Sequence, residues 1–181
     1  MTKYNDTTYA ILGILTTECK SGYAIKQLID RSLNHFWKIS YGQIYPTLKL
    51  ISQEGLAEIR TSSSNGRPEK NEYYLTEKGL DVLKNWLEQP IEHFPAERNE
   101  VLLKLFFGHY QSYERQVLLL QKYKEALEIR YQTYITIEQA IQQDTSKDSM
   151  YWLITLDYGK RTTHAAIEWC DCTLGKLKKE E

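Results

Sequence analysis

The sequence has few of the residues that build disulfide or metal frameworks. Its 181 residues include three cysteines, Cys19, Cys170 and Cys172, and such a sparse, odd set does not indicate a disulfide network. Cys170 and Cys172 are spaced as C-x-C with His164 nearby. A metal site is therefore one interpretation, and ordinary helix packing is the favoured one. We predict neither a metal nor a cofactor.

Long apolar runs and a targeting signal are also missing. No stretch approaches the roughly 18 consecutive apolar residues that a membrane-spanning helix requires. The early apolar run at residues 10–15 is short and follows no basic leader, unlike a secretory signal. These absences lead us to expect a soluble, cytoplasmic protein without a membrane partner.

Local catalytic motifs are missing as well. The sequence contains no G-x-S-x-G nucleophile elbow, no P-loop and no H-E-x-x-H zinc motif. The Ser-Gly pair at Ser21 is explained by helix capping. We therefore predict that the protein is not an enzyme.

Charge of one sign is not in excess over the whole chain. The sequence has 23 basic and 24 acidic residues, a net charge of −1, which alone does not suggest a nucleic-acid partner. Between residues 31 and 70, however, six basic residues stand against three acidic ones. Attraction to phosphate requires only a local patch, so this modest excess permits DNA binding.

Three short helices are predicted before the first strand. Asp6 or Thr7 can cap the first helix, and Ser21 is a natural cap for the second. Residues 40–43, Ser-Tyr-Gly-Gln, match a capping box at the start of the third helix, and Gly55 is suited to end it.

The third helix contains a proline within its apolar pattern. Ile44, Leu48 and Ile51 form a buried stripe, and Pro46 lies between them. The proline ring should either kink this helix or mark its true first turn.

A hairpin and a fourth helix complete the first half. Residues 56–61 and 71–75 alternate apolar and polar side chains, and the polar turn between them has Asn65-Gly66 at its centre and a basic tip. Thr76 can cap the next helix, and two prolines follow within residues 88–95. We predict domains at residues 1–90 and 91–181.

The second half is predicted to be entirely helical. After a helix over residues 97–110, Ser112 caps a long helix that reaches about residue 143. Along it Tyr113, Leu120, Leu127, Tyr134 and Ile141 fall seven residues apart, a repeat that imposes a left-handed supercoil. The companion seam is mixed, with Val117, Lys124, Tyr131 and Glu138, which favours packing against a neighbouring helix over a parallel zipper. A last helix over residues 150–174 carries apolar residues at three- and four-residue steps: Tyr151, Ile154, Tyr158, Ala165, Trp169 and Cys172.

This order of elements is that of a winged helix-turn-helix. The fold class we predict is mainly α with a small β-hairpin: an N-terminal winged helix-turn-helix followed by a C-terminal helical, coiled-coil-like dimerisation domain. In such a fold the third helix presents its polar face to the major groove, and the hairpin tip reaches phosphate or the minor groove.

Several motifs resemble the PadR family of regulators, in the long-arm subgroup that includes a phenolic-acid-responsive repressor. They are Ser21-Gly22-Tyr23, Phe36-Trp37, residues 43–48 (Q-I-Y-P-T-L), Gly55-Leu56, and Tyr74-Leu75-Thr76 with Gly79. The resemblance extends over nearly the whole chain, although the second half matches only in pattern. It implies a homodimeric repressor without identifying the ligand.

The candidate DNA-binding residues belong to the third helix and the wing: Ser40, Tyr41, Gln43, Tyr45, Lys49, Arg60, Arg67 and Lys70. Gln43 could bond an adenine edge or only close the capping box. Tyr45 resembles the family tyrosine that reaches a phosphate, and it could equally be a core residue. Lys49 could contact phosphate or simply be solvated.

A small aromatic or hydrophobic effector is the other predicted partner. Phe36, Trp37, Trp152 and Trp169 are candidates for its pocket, although such residues more often fill a core. The predicted function is a DNA-binding homodimeric repressor that a small-molecule effector releases from a palindromic operator. The alternative is a protein-interaction adaptor that keeps the winged-helix fold without binding DNA.

Overall fold

The chain divides into two units, Met1–Phe94 and Pro95–Glu181, in a computed structural model that describes residues 4–62, 70–92 and 97–178. Helices dominate both units, and one two-stranded antiparallel sheet lies in the first. This architecture confirms the predicted mainly α fold with a small hairpin. No helix in the described part of the chain is long and apolar enough to cross a bilayer.

Polar side chains determine where the first helices begin. Ser21 accepts the backbone N–H of Ala24 at 3.2 Å and caps the second helix as predicted. The predicted cap of the first helix was wrong: Asn5, not Asp6 or Thr7, has the extended backbone of a cap and accepts the N–H of Thr8 at 2.9 Å. The helices are α1 (Asp6–Ile14), α2 (Gly22–Arg31) and α3 (Tyr41–Gln53).

One apolar core holds these three helices together. The fully buried members include Ile11 and Leu12 of α1, Ile25 of α2, and Leu48 and Ile51 of α3. The interior position of Pro46 removes one backbone hydrogen bond from α3, yet the helix runs through it from Tyr41 to Gln53. Gly55 follows with φ of +69°, the left-handed conformation that glycine adopts most readily at a helix end.

A hairpin and a fourth helix pack against this core. Strands β1 (Ala57–Ser62) and β2 (Lys70–Leu75) pair antiparallel, with Ile59 opposite Tyr73. The predicted turn around Asn65-Gly66 lies outside the described residues. Thr76 caps helix α4 (Glu77–Leu87), as predicted. Its hydroxyl accepts the N–H of Gly79 at 3.1 Å. A Cβ at Gly79 would collide with the carbonyl oxygen of Leu56, so glycine permits the close approach of α4 to the start of the hairpin.

The second unit is built on a long antiparallel helical hairpin. Its helices are α5 (Glu100–Phe106), α6 (Tyr113–Gln142) and α7 (Ser149–Leu177). Helix α5 is shorter than predicted because Phe107 leaves the helical conformation and a 3₁₀ turn follows. On α6 the seven-residue repeat forms the inner face, since Leu120, Leu127 and Tyr134 are buried.

The mixed seam of α6 pairs with α7, as predicted for a neighbouring helix. Lys124 Nζ lies 2.6 Å from Asp171 Oδ1, and Lys160 Nζ lies 2.6 Å from Glu138 Oε2. The hydrogen bond with Asp171 raises the pKa of Lys124 above its usual value. These cross-helix pairs explain why a seam facing another helix carries charges.

The face of α7 that packs on α6 differs from the stripe seen in the sequence. Its buried residues are Leu156, Thr163 and Cys170, seven apart. Two of these three are small or polar, so they give no strong apolar signal. Most of the predicted stripe lies outside, with Tyr151, Ile154 and Tyr158 exposed by 62%, 62% and 69%, respectively.

Candidate nucleic-acid interface

The start of α3 is fixed by the predicted capping box. The backbone N–H of Ser40 donates to Gln43 Oε1 at 2.9 Å, and the Ser40 hydroxyl donates to the same oxygen at 2.8 Å. Both residues are exposed. The carboxamide oxygen of Gln43 therefore closes the helix, which supports the capping interpretation in this structure and leaves a base contact to be tested on DNA.

The opposite faces of α3 divide between core and solvent. Ile44 and Leu48 are buried, while Tyr41, Tyr45 and Lys49, four residues apart, share an exposed face. Tyr45 is 50% exposed, so it is not a core residue. The structure brings these three side chains together on one helical stripe that can donate hydrogen bonds and carries a positive charge.

Helix α2 supports this stripe from one side. A Cβ at Gly22 would lie 2.8 Å from Cε1 of Tyr45, so the tyrosine ring lies directly against the first turn of α2. The ring centroids of Tyr41 and Tyr45 are 6.2 Å apart. Glycine at position 22 thus determines how deep the Tyr45 ring sits.

Lys26 joins the candidate interface, and sequence reasoning missed it. Its ammonium lies 4.5 Å from the ring centroid of Tyr41 and 3.8 Å from Asp30 Oδ2. The spacing of residues along α2 could have indicated Lys26. It lies three residues after Tyr23, on the polar side of a helix whose apolar side contains Ile25 and Ile29. Gln27, four residues after Tyr23, lies on the same polar side.

The base of the wing is a network around one aromatic ring. The guanidinium carbon of Arg60 lies 4.1 Å from the ring centroid of Tyr74, and the Tyr74 hydroxyl donates to Glu72 Oε2 at 3.0 Å. That hydrogen bond is the main reason why the pKa of Tyr74 is raised above its usual value. The predicted contact Arg67 and the side chain of Lys70 lie outside the described residues.

The strands of the wing are tied to the helix-turn-helix. The N–H of Tyr73 donates to the carbonyl of Lys20 at 2.7 Å, and Ser21 forms an isolated antiparallel bridge with Glu72. Lys20 in turn donates from Nζ to the carbonyl of Leu15 at 2.7 Å. These bonds connect β2 to the segment between α1 and α2.

The four candidate effector residues are not gathered in either unit. Phe36 and Trp37 follow α2 in the first unit and are 61% and 40% exposed. Trp152 and Trp169 are half-buried on α7, about 26 Å apart at 1.5 Å per residue. Trp169 packs beside the core of the helical hairpin. An open groove of about 510 Å³ at the end of that hairpin, lined in part by Glu138, Met150, Leu153 and Ile154, includes none of the four.

The paired cysteines of the C-x-C motif have different surroundings. Cys170 is buried and burial raises the pKa of its thiol, while Cys172 is exposed. Among the described residues, no group of three or more histidine, cysteine or acidic side chains is placed to hold a metal ion.

Comparison with known proteins gives one family match in each unit. Residues 11–85 match the transcriptional regulator PadR-like family, and residues 97–178 match the family described as virulence activator alpha C-term. The first unit thus contains a PadR-like domain. The PadR-like match covers α2, α3 and the wing, and so contains the whole candidate interface.

The curated relatives that this chain matches are transcriptional regulators. The negative transcriptional regulator PadR of Bacillus subtilis is 39% identical over 101 residues, which span 55% of this chain and 54% of the relative. A probable transcriptional regulator of Mycobacterium tuberculosis is 27% identical over 179 residues, covering 90% of this chain and 93% of that protein.

Solved structures extend the likeness to both units. Bacillus subtilis PadR in complex with operator DNA matches with a TM-score of 0.85 at 25% identity, covering 96% of this chain and 99% of that one. The same protein in complex with p-coumaric acid matches with a TM-score of 0.78 at 25% identity, over 94% and 98%. The Vibrio cholerae virulence activator AphA matches with a TM-score of 0.72 at 28% identity, over 96% and 99%.

Proposed function

We propose that this PadR-like chain is a homodimeric repressor that binds a palindromic operator and is released by a small aromatic or hydrophobic effector. The observation that carries the proposal is the exposed stripe Tyr41–Tyr45–Lys49 on α3, in the same unit as the hairpin. A regulator of transcription works at the chromosome, so the proposal places the protein in the cytoplasm.

The proposed DNA contacts divide by element. On α3, Ser40, Tyr41, Tyr45 and Lys49 reach phosphates, and Gln43 reads a base edge through the part of its amide that the cap does not use. In the wing, Arg67 and Lys70 add phosphate contacts. Phosphate contacts position a protein on the duplex, and base contacts supply specificity. That a similar protein has been solved in complex with operator DNA supports the proposal that this chain binds DNA.

The contribution of α3 is tested by matched lysine substitutions. Fluorescence anisotropy with labelled DNA from the protein's own upstream region compares Lys49→Ala with Lys84→Ala, an exposed lysine on α4. Lys49→Ala should weaken binding and lower the slope of log affinity against log salt by about one unit. Lys84→Ala should leave the affinity and the slope unchanged. Absence of binding by the unmodified protein to any promoter fragment at low salt would support the adaptor alternative.

A second copy of the chain explains the apolar exterior of α7. Tyr151, Ile154 and Tyr158 form one exposed stripe, and burying such a stripe stabilises a complex by roughly 25 cal/mol per Å² of apolar surface. Dimerisation also matters for DNA, since two recognition helices must meet successive major grooves about 34 Å apart.

Two substitutions on α7 test the dimer. Ile154→Glu places a charge on the stripe, and His164→Glu places the same charge on an exposed residue of α7 outside the stripe. Sedimentation velocity should give a monomer for the first and a dimer for the second and for the unmodified protein. A dimer that survives Ile154→Glu would exclude this stripe from the interface.

The effector assignment rests on aromatic residues and on one relative. Bacillus subtilis PadR has been solved with p-coumaric acid, a small phenolic acid. We propose that an effector of similar chemistry contacts one of three places: Phe36 with Trp37 in the first unit, Trp152 on α7, or Trp169 on α7. Release of bound DNA by a panel of phenolic acids, compared across Trp37→Phe, Trp152→Phe and Trp169→Phe, identifies the place by the one variant that no longer responds. The control is Trp86→Phe, because Trp86 stacks on Tyr9 at 4.8 Å beside the first unit's core.

A further inference from the structure

The Arg60 side chain already has partners within the wing. Of the three wing cations, Arg60 is the one whose side chain the structure describes, and its guanidinium already lies over the Tyr74 ring at 4.1 Å. Arg60 stands directly opposite Glu72 in the strand pairing, and Glu72 accepts the hydroxyl of Tyr74. The Tyr74 ring and the Glu72 residue are therefore neighbours of Arg60 within the same two-stranded sheet.

The same ring is linked to the segment that leads into the helix-turn-helix. Lys20 Nζ lies 5.7 Å from the Tyr74 centroid, and the carbonyl of Lys20 accepts the N–H of Tyr73. Tyr74 is therefore placed between β1, through Arg60, and the residues that precede α2. Any change in the angle of the hairpin relative to α2 would alter these contacts.

We propose that Arg60 and Tyr74 are positioning residues that hold the wing at its DNA-binding angle, with Arg60 stacked on Tyr74 and making no phosphate contact. This inference rests on the proposed function and assigns Arg60 a role other than the direct DNA contact predicted for it. The Arg60–Tyr74 stack, with Lys20 beside the same ring, holds the described strands of the wing against the segment that precedes α2.

Salt dependence separates positioning from phosphate contact. A residue that contacts phosphate releases a counterion from DNA, so its loss lowers the slope of log affinity against log salt by about one unit. Arg60→Gln removes the charge and should weaken binding by about two- to fivefold, the typical strength of an exposed cation–π contact. The slope should stay at the value of the unmodified protein, while Lys49→Gln, the charge-matched control, should lower it.

A double substitution tests whether the two residues act together. Tyr74→Leu should weaken DNA binding about as much as Arg60→Gln, and the double variant should be no weaker than Tyr74→Leu alone. Tyr74→Phe keeps the ring and should bind nearly as the unmodified protein does. Thermal unfolding of each variant, with midpoints close to the unmodified value, separates wing placement from loss of the fold.

The outcomes distinguish this inference from the proposed function. If the unmodified protein binds DNA and Arg60→Gln lowers the salt slope as Lys49→Gln does, Arg60 contacts phosphate and the inference is wrong. Losses that multiply in the double variant would also overturn it. If the unmodified protein binds no DNA, the proposed function fails, and the positioning role fails with it.

Discussion

Replacing Gly22 by alanine should impair DNA binding while leaving the fold intact. The added Cβ would lie 2.8, 3.0 and 3.1 Å from Cε1, Cζ and Oη of Tyr45, where ordinary contact begins at 3.4 Å. The ring must therefore retreat by about 0.6 Å at its closest atom. Because Tyr45 is 50% exposed, it can move outward without opening the core.

The expected magnitudes follow from what each group does. Because Gly22 has no left-handed φ, alanine there stabilises the fold by about 0.4–1 kcal/mol through the lower conformational freedom of the unfolded chain, which offsets the cost of moving an exposed ring, so the free energy of unfolding should change little. A hydrogen bond to a charged group contributes about 1.5–3 kcal/mol. If displacement breaks the Tyr45–phosphate bond, affinity should fall by about tenfold or more.

Anisotropy titrations with the same DNA measure this effect. Gly13→Ala is the control, since a Cβ there meets nothing within 4 Å and the change affects the same unit. We expect Gly13→Ala to bind as the unmodified protein does. Gly22→Ala with full affinity, in a protein that Tyr45→Phe weakens, would refute the argument that Gly22 places the tyrosine hydroxyl.

Four other substitutions or reactions have defined outcomes. Arg67→Ala should weaken binding to all DNA sequences nearly equally and reduce the salt slope by about one unit, which titrations at several salt concentrations measure. Gln43→Ala should relax preference at one position per half-site by roughly 1–3 kcal/mol in competition with single-base variants; an equal loss on random DNA would mean that Gln43 only caps α3. Leu127→Ala should destabilise the helical unit by about 2–5 kcal/mol in denaturant unfolding, because Leu127 is 3% exposed between α6 and α7. In the native protein a thiol reagent should modify Cys172 rapidly and Cys170 only on unfolding, because burial raises the pKa of Cys170 and removes it from solvent; equal rates would contradict the packing of α7.

Much of the fold could be predicted from local sequence because caps and repeats act over a few residues. Ser21, Ser40 and Thr76 begin their helices as predicted, and the repeat through Leu120 and Leu127 lies on the inner face of α6. Such signals rest on short-range hydrogen bonds and helical spacing.

What the sequence could not supply depended on tertiary contacts. Thr163 and Cys170 lie on the inner face of α7 and form no apolar pattern in the sequence. The more apolar stripe that includes Tyr151 was therefore predicted to face inward, and it is exposed. Lys26 was missed because its neighbour Tyr41 is fifteen positions away and on another helix. The stacking of Arg60 on Tyr74 likewise depends on the register of the two strands. A slip of one residue would move one of the two side chains to the other face of the sheet and abolish the stacking.

Selection of bound sequences from a random pool of double-stranded DNA tests the central claim most directly. The account predicts enrichment of one short motif in inverted repeat, with half-site centres separated by about 10 base pairs or a multiple of that spacing. A dimer that presents α3 twice would produce this symmetry, and Tyr45→Phe should reduce the enrichment. Recovery of no motif, or of a single unrepeated half-site, would contradict a homodimeric DNA-binding repressor.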